Sequence, residues 1–127
     1  MSISKSQLKI ITSLSQKKYR QKHQLFIAEG LKVVNELLNS SFKIDTLFAT
    51  DDFQTDISLD KITRISDKDL QKISNLKAPN KVLGLFVIPD EKPLQKNGLT
   101  IVLDAVNDPG NLGTIIRLCD WFGVSQL

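Results

Sequence analysis

Short apolar runs alternate along this chain with segments whose apolar residues recur at helical spacing, and no other feature restricts the fold as much. Apolar residues that recur every three or four positions favour a helix, whereas short continuous apolar runs favour a buried strand. The predicted order α-β-α-β-(α)-β-α-β is typical of an α/β protein in which helices cover both faces of a sheet. The sequence therefore predicts an α/β/α sandwich.

Local patterns place the elements of the first 89 residues. Ser4 and Gln7 have the spacing of a capping box, and apolar residues at helical spacing extend the first predicted helix to about Lys18. Asp51–Phe53 is predicted to be a loop or a helical turn. The other predicted elements are a strand at 25–28, a helix at 31–38, strands at 44–49 and 62–65, a helix that begins after Ser66, and a strand at 82–88.

The character of the chain changes after residue 89. Residues 90–98 contain a proline, a glycine and four charged side chains, which predicts a linker. Leu99–Leu103 is a near-continuous apolar run, typical of a strand that is buried on both faces in a parallel sheet. A turn at Asp108–Asn111, a helix at Leu112–Phe122 that ends at Gly123, and the start of another strand are predicted to follow.

The domain organisation predicted from these patterns is a first domain at 1–89, a linker at 90–98 and the beginning of a second domain at 99–127. One strand, one helix and a short strand cannot bury their own apolar surface. We therefore expect the chain to be a truncated piece of a larger protein. The alternative is that residues 99–127 extend the sheet of the first domain.

Composition excludes several classes of protein. The chain has 127 residues, 41% of them hydrophobic, and a net charge of +3, which together argue against disorder. It contains one cysteine and one histidine, so a disulfide framework is excluded and little remains for a metal site. No apolar run is long enough for a membrane helix, and the N-terminus lacks the apolar run of a signal peptide. We expect a cytoplasmic protein with neither a membrane nor a bound metal.

Positive charge is concentrated near the N-terminus. Residues 1–43 hold eight basic and two acidic side chains, whereas residues 44–75 hold four basic and seven acidic ones. Four cations and an interleaved Tyr19 occur within the seven residues 17–23. Such a segment favours an anionic partner, although a solvated helix face would have the same composition.

The strongest candidate site lies between the predicted strand at 99–103 and the helix that follows it. Ligands in open α/β sheets bind where strands end and helices begin, and free N–H groups at a helix N-terminus favour anions. Asn111 is a plausible N-cap, and Gly113 leaves room for a ligand. Arg117 shares a helix face with Gly113 but has apolar neighbours in sequence, so it needs a partner. That partner is either the carboxylate of Asp104 or Asp120, or a ligand phosphate or ribose.

The segment 103–124 resembles the first motif of the SpoU (TrmH-like) RNA ribose methyltransferases, which belong to the SPOUT class of knotted methyltransferases. The Asp-Pro-Gly-Asn-x-Gly at 108–113, the arginine at 117 and the Phe-Gly at 122–123 are in register with that motif. Residues 17–20, 26–30 and, more loosely, 81–86 resemble the family's substrate-binding domain, which has an L30e-like fold. The resemblance implies an L30e-like α/β/α sandwich followed by the first βα unit of an incomplete SPOUT domain.

The resemblance also implies an activity, which is the transfer of a methyl group from S-adenosylmethionine to a ribose 2′-OH of ribosomal or transfer RNA. Asn111 and Arg117 match the family's catalytic residues. The basic segment is expected to bind RNA through Lys17, Lys18, Tyr19, Arg20 and Lys22.

The same resemblance implies that the intact protein is a homodimer. The motifs that hold the methyl donor would lie after Leu127, so we expect residues 1–127 alone to contain no donor site and to be inactive. A non-catalytic L30e-like RNA-binding module is the alternative, and a KH-like use of Gly110–Gly113 is a weaker one because that turn contains no basic residue.

Overall fold

A computed structural model describes residues 3–55 and 60–127, and the chain divides into two compact units. One unit extends to Pro89, and the other is Asp90–Leu127. The first contains a four-stranded mixed sheet with helices, which confirms the predicted α/β class. No helix in the described ranges is long and apolar enough to cross a membrane.

The first unit contains four helices among its described residues. Ser4 caps the first of them through the predicted capping box, in which its side chain accepts a hydrogen bond from the Gln7 amide. Ser66 caps the last in the same way by accepting from the Asp69 amide. The helices are α1 at Lys5–Ser13, α2 at Lys17–His23, α3 at Leu31–Leu38 and α4 at Asp67–Ile73.

The prediction of one helix reaching about Lys18 is wrong, because the chain turns between α1 and α2. Leu14 ends α1, yet its side chain is buried with Ile11, so the apolar spacing continues through the break and conceals it. The separate helix α2 has no buried residue. Apolar periodicity therefore contained no signal for it.

The strands of the first unit form one sheet in the order β1-β4-β2-β3. The central strand β4 pairs antiparallel with both β1 and β2, and β2 pairs parallel with the edge strand β3. The strand bounds agree with the prediction to within one residue at either end. They are β1 at Leu25–Glu29, β2 at Ile44–Ala49, β3 at Ile62–Arg64 and β4 at Val82–Val87.

The sheet separates two apolar clusters, as alternation along its strands requires. Phe48 of β2 and Leu83 of β4 pack on one face with residues of α1 and α4. Leu47 of β2 and Phe86 of β4 pack on the other face with Val34 of α3. Helices therefore cover both faces of the sheet, as the alternating pattern predicted.

The second unit differs from the prediction at its helix. Helix α5 is Pro109–Trp121, so it begins three residues earlier than predicted. Asp108 is the N-cap and Pro109 is the first helical residue, which leaves Asn111 inside the first turn. The predicted N-cap at Asn111 is therefore wrong. Asp-Pro-Gly-Asn reads as a turn from sequence, but proline at the first position of a helix is favourable because it has no N–H to leave unpaired. The end at Gly123, with φ +66°, is as predicted.

The prediction of a strand at 99–103 that is buried on both faces is also wrong among the described residues. Thr100 forms a single parallel bridge with Gln126, and residues 101–103 form none. The Val102 side chain is 85% exposed and that of Leu99 62%. A strand of this kind needs a neighbour along its whole length and helices on both sides. Within residues 90–127, the bridge between Thr100 and Gln126 is the only strand pairing that residues 99–103 make.

Candidate functional site

The predicted RNA-binding residues lie on one short helix. Lys17, Lys18 and Lys22 of α2 are exposed, and Tyr19 is half-buried. The Lys18 ammonium lies over the Tyr19 ring at 4.9 Å from its centroid, which is a cation–π distance. The sequence contains no acidic residue before Glu29, so α1 and α2 carry only positive side-chain charge.

Arg20 is the member of this set whose guanidinium is already bound. Its Nη1 donates to the carbonyl oxygens of Leu14 at 3.0 Å and Ser15 at 2.9 Å. These carbonyls lie where α1 ends, and a cation that hydrogen-bonds the last carbonyls of a helix stabilises its C-terminus. Arg20 therefore connects α2 to the end of α1.

An open groove between α1 and α2 contains residues that the sequence did not indicate. It is lined from α1 by Lys9 and Ser13 and from α2 by Tyr19, Lys22 and His23. Lys9 and His23 are two among them that did not stand out as candidate binding residues in the sequence. The signal that could have found them is the helical spacing i, i+3 and i+4, which aligns Tyr19 with Lys22 and His23 once α2 is known to be a helix.

Asn111 lies in the first turn of α5 beside a second open groove. The Asn111 amide donates to the Asp108 carboxylate at 2.7 Å, and the Asn111 side chain lines the groove with Thr114 and with residues of the loop before the helix. Ala105 in that loop has φ +54°, a left-handed conformation that costs a non-glycine residue about 1 kcal/mol or more. The loop is therefore held in a strained shape beside Asn111.

Arg117 is exposed on α5. Among the described residues it forms no ion pair with Asp104 or Asp120, so neither of the carboxylate partners considered from sequence is present. It does not line the groove beside Asn111. Six helical positions separate the two residues, a rise of about 9 Å with the side chains on different faces of the helix. The structure thus places them on one helix but not in one pocket.

Glu29 has a structural role at the end of β1. Its carboxylate accepts a hydrogen bond from the Ser74 hydroxyl and another from the Asn75 amide at 2.9 Å. It therefore fastens the loop after α4 to the sheet. Cys119 is buried and free, as expected for a side chain that packs inside the second unit.

The two carboxyl groups whose pKa is lowered, those of Asp52 and Asp69, lie outside both grooves. A hydrogen bond from Lys81 lowers the pKa of Asp52, and one from Thr50 adds to this effect. Lys72 and Ser66 lower the pKa of Asp69 in the same way. These two carboxylates stabilise a loop and a helix end, so we assign them a structural role and not a catalytic one.

The fold and these two groups of residues define a two-unit α/β protein with a basic helical surface and, separately, an Asn–Arg pair on one helix. Comparison with known families gives the particular class. Residues 5–84 match the family described as the MRM3-like substrate binding domain, which is more than half of the chain. The chain belongs to this family.

Relatives with curated functions are RNA methyltransferases. The chain is 27% identical over 133 residues to rRNA methyltransferase 3, mitochondrial, of Xenopus laevis, an alignment that covers 94% of this chain and 32% of the relative. It is 29% identical over 117 residues to 23S rRNA (guanosine(2553)-2′-O)-methyltransferase RlmP of Bacillus subtilis, covering 90% of this chain and 47% of the relative. The chain thus spans about a third to a half of the length of these relatives.

Solved structures agree with the sequence comparison. A Porphyromonas gingivalis protein assigned to the TrmH family superposes with a TM-score of 0.80 and 34% identity, covering 97% of this chain and 50% of that one. An AdoMet-bound rRNA methyltransferase from Sinorhizobium meliloti superposes with a TM-score of 0.73 and 32% identity, covering 98% and 51%. The resemblance to SpoU (TrmH-like) methyltransferases expected from residues 103–124 is confirmed.

Proposed function

We propose that this chain is part of an RNA 2′-O-methyltransferase that transfers a methyl group from S-adenosylmethionine to a ribose hydroxyl. The observation that carries the proposal is the similarity to rRNA methyltransferases over 90% or more of the chain, which includes both units. The names of these relatives favour ribosomal RNA over transfer RNA as the substrate. The intact protein is proposed to act in the cytoplasm, because a single cysteine suits a reducing compartment.

The first unit is proposed to bind the RNA. Its mixed sheet covered by helices suits the L30e-like fold, and Lys17, Lys18 and Lys22 offer ammonium groups to phosphates. In this proposed division of the chain, residues 1–89 bind RNA and residues 99–127 begin the methyltransferase domain. Residues 90–98 link these two domains. Residues 90–98 contain neither helix nor strand, and all are exposed, which supports their role as a linker.

Arg117 and Asn111 are proposed to act on the reacting nucleotide. A guanidinium stays charged at any physiological pH, so it is poorly suited to remove a proton from the 2′-OH. It is well suited to hold a phosphate and to stabilise the alkoxide that develops as the proton leaves. The exposed Arg117, with no ion pair among the described residues, is available for this role. Asn111 would position the ribose through its side-chain amide.

Beside Asn111, the described residues offer a poor pocket for the methyl donor. The groove beside Asn111 is wide open, and the Asp108 carboxylate that lines it already accepts the Asn111 amide. We therefore propose that residues 1–127 as an isolated polypeptide do not bind S-adenosylmethionine and are inactive. When bound to the intact protein, the donor supplies an electrophilic methyl group on sulfur.

Substitution of Arg117 by lysine in the complete product of the gene tests this function. Lysine keeps the charge but cannot hold a phosphate bidentately, so we expect methyl transfer to RNA to fall at least 100-fold, the order of loss seen when one transition-state donor is removed (about 10²–10³). Transfer is measured with methyl-labelled S-adenosylmethionine on ribosomal RNA.

The control for this experiment is binding of S-adenosylmethionine, measured by calorimetry, which Arg117→Lys should leave unchanged. Transfer at the wild-type rate by Arg117→Lys would refute the role of Arg117. RNA binding without any methyl transfer by the wild-type gene product would favour the alternative, a non-catalytic RNA-binding module.

We also propose that the intact protein is a homodimer. Helix α5 and the turn after it expose large apolar side chains, with Trp121 83% and Phe122 75% accessible. A large exposed apolar patch is typical of a surface that another polypeptide surface covers. Light scattering on the purified gene product tests this proposal, and a monomer at micromolar concentration contradicts it.

A further inference from the structure

We propose that the groove between α1 and α2 holds an unpaired segment of the RNA, with one base stacked on Tyr19 and its flanking phosphates bound by Lys9 and Lys22. This proposal rests on the proposed function, because it assigns the RNA to one surface of the first unit and to one kind of RNA. It adds Lys9 and His23 to the residues expected from sequence and gives Arg20 a different role.

The groove is formed by matching faces of two helices. Lys9 and Ser13 are four positions apart on α1, and Tyr19 and Lys22 are three apart on α2, so each pair shares one face of its helix. The space between them is about 570 Å³, within the range of about 300–1,000 Å³ that is usual for sites holding small organic groups. It is open on one side, as a site for a segment of a polymer must be.

The charge of the groove suits a phosphate backbone. Of the side chains that line it, Lys9 and Lys22 are cationic, His23 is polar, and none is acidic. The first acidic residue in the chain is Glu29, whose carboxylate accepts hydrogen bonds from Ser74 and Asn75. On α4, which packs on α1, Asp69 is paired with Lys72 at 2.7 Å. Positive potential in the groove is therefore not cancelled from within α1 or α2.

The aromatic ring makes the groove selective for unpaired RNA. A duplex presents phosphates and 2′-hydroxyls, whereas only an unpaired base can leave its neighbours and stack on a protein ring. The Lys18 ammonium lies over one face of the Tyr19 ring at 4.9 Å from the centroid. A base would therefore stack on the other face.

Arg20 sets the angle between the two walls of the groove and is in this sense a positioning residue. Only three residues connect α1 to α2, and the Arg20 guanidinium bonds to the carbonyls of the first two, Leu14 and Ser15. Both bonds come from Nη1, and the Nζ of a lysine is one bond nearer its Cα, so a lysine at this position would not reach both carbonyls. The Tyr19 ring and the Lys9 side chain therefore depend on Arg20 for their spacing.

The test is fluorescence anisotropy of the full 127-residue chain with two labelled probes. One is a single-stranded oligouridylate of about twelve nucleotides, within the usual site sizes of about 4–16, and the other is an RNA duplex of equal length. We expect the single strand to bind more tightly. Tyr19→Ala should weaken its binding about 5- to 150-fold, whereas Tyr19→Phe, which keeps the ring, should bind as the wild type does.

A pair of double variants separates the groove from general electrostatics. Lys9→Ala with Lys22→Ala should weaken single-strand binding and reduce the slope of log K against log salt by about 1.4, the value for two lost phosphate contacts. The control, Lys43→Ala with Lys96→Ala, removes the same charge at exposed positions outside the groove. It should leave the slope within about 0.3 of the wild-type value, less than half of one phosphate contact.

Arg20→Lys tests the positioning role at constant net charge. We expect the preference for single strand over duplex to fall, with duplex binding unchanged, because the groove loses its shape but not its charge. A purely structural role would leave that ratio unchanged. Circular dichroism checks that each variant is folded. If Tyr19→Ala does not fold, the two pairs of lysine substitutions, which are at exposed positions, still test the groove assignment.

Two results would overturn the groove assignment. One is equal loss of affinity in the groove pair and in the control pair, and the other is duplex binding that matches or exceeds single-strand binding. Neither result bears on methyl transfer by the complete gene product. Conversely, a gene product that fails to methylate RNA but binds single strands through Tyr19 would refute the enzyme and leave the groove in place.

Discussion

At the scale of single residues, Gly84 shows how closely this sheet is packed. It lies in the central strand β4 between Leu83 and Leu85 and is itself buried. A Cβ built on Gly84 would come within 2.5 Å of Phe86 Cε2 and 3.3 Å of Leu47 Cδ1. Both of those side chains are fully buried, so they have little room to move.

We therefore expect Gly84→Ala to lower the free energy of unfolding by about 1–3 kcal/mol through overpacking. Phe86→Leu removes the ring edge that the new methyl group would meet. Gly84→Ala should thus cost less in the Phe86→Leu background than in the wild type, which urea denaturation of the four proteins measures. Equal costs in both backgrounds would mean that the ring is not what excludes the methyl group.

The candidate site residues were predictable from sequence to different degrees. From sequence, Arg117 was predicted to lie on the helix and Asn111 to cap it, whereas the structure places both residues within α5. That Arg117 has no partner among the described residues was not predictable, because pairing depends on where the carboxylates of other turns and loops point. The same is true of Arg20, whose carbonyl partners become neighbours only because the chain turns after Ser13.

At the scale of elements, the start of helix α5 is decided by a side-chain contact. The Asp108 carboxylate accepts the Asn111 amide at 2.7 Å, which satisfies one of the free N–H groups of the first turn. The Asn111 side chain, by contrast, lies within the helix and caps nothing.

Asp108→Ala is therefore expected to destabilise the unit that contains α5 by about 1 kcal/mol, within the usual range of about 0.5–2 for loss of an N-cap. Asn111→Ala is the matched control and should change stability by less than about 0.5 kcal/mol. Hydrogen exchange of the first amides of α5 measures both. A larger effect from Asn111→Ala would restore Asn111 as the cap.

A second element-scale feature is the loop that follows β2. Asp52 accepts a hydrogen bond from Lys81 Nζ at 2.7 Å and another from the Thr50 hydroxyl, and both lower its pKa. The loop is thereby tied to the residue that precedes β4.

A carboxylate whose pKa is lower in the folded protein contributes stability above the unfolded pKa of about 3.9. This contribution is lost as the pH falls through the folded value. We expect the melting temperature of the wild type to fall below about pH 4, and that of Asp52→Asn to fall less over the same interval. The difference should be small, because the pair is exposed to solvent. Identical pH profiles would show that this pair does not contribute.

At the scale of the whole molecule, the chain divides into two compact units, and the second begins at Asp90. Residues 90–98 are exposed and contain neither helix nor strand, and exposed segments of this kind are where proteases cut. Lys92 is followed by Pro93, which blocks trypsin, so Lys96 is the susceptible residue in the segment.

We expect brief trypsin treatment to cut first after Lys96 and to release a folded N-terminal fragment that keeps its circular dichroism. Lys96→Gln is the control and should delay cleavage in this region. Early cleavage after Arg64 in β3 or Lys72 in α4 instead would contradict the division of the chain at residues 90–98. Mass spectrometry of the first fragments distinguishes these outcomes.

Most of the sandwich was predictable because each of its strands carries its own pattern. Val82–Val87 is apolar on both sides, and Ile44–Ala49 is apolar over its last three residues. The helices that cover these strands begin at recognisable caps such as Ser4 and Ser66. The helix α2 was not predictable in this way, since a helix that buries no side chain leaves no apolar period in the sequence.

By itself, the sequence determined the class of fold, the bounds of the main strands, the basic N-terminal surface and the family motif at 103–124. These depend on residues close together in the chain, whose periodicity and spacing can be read directly. Only the tertiary structure decided the break after Ser13, the groove between Lys9 and Tyr19, and the role of Arg20. Each of these depends on which distant groups meet, and that is settled by the direction in which the chain turns.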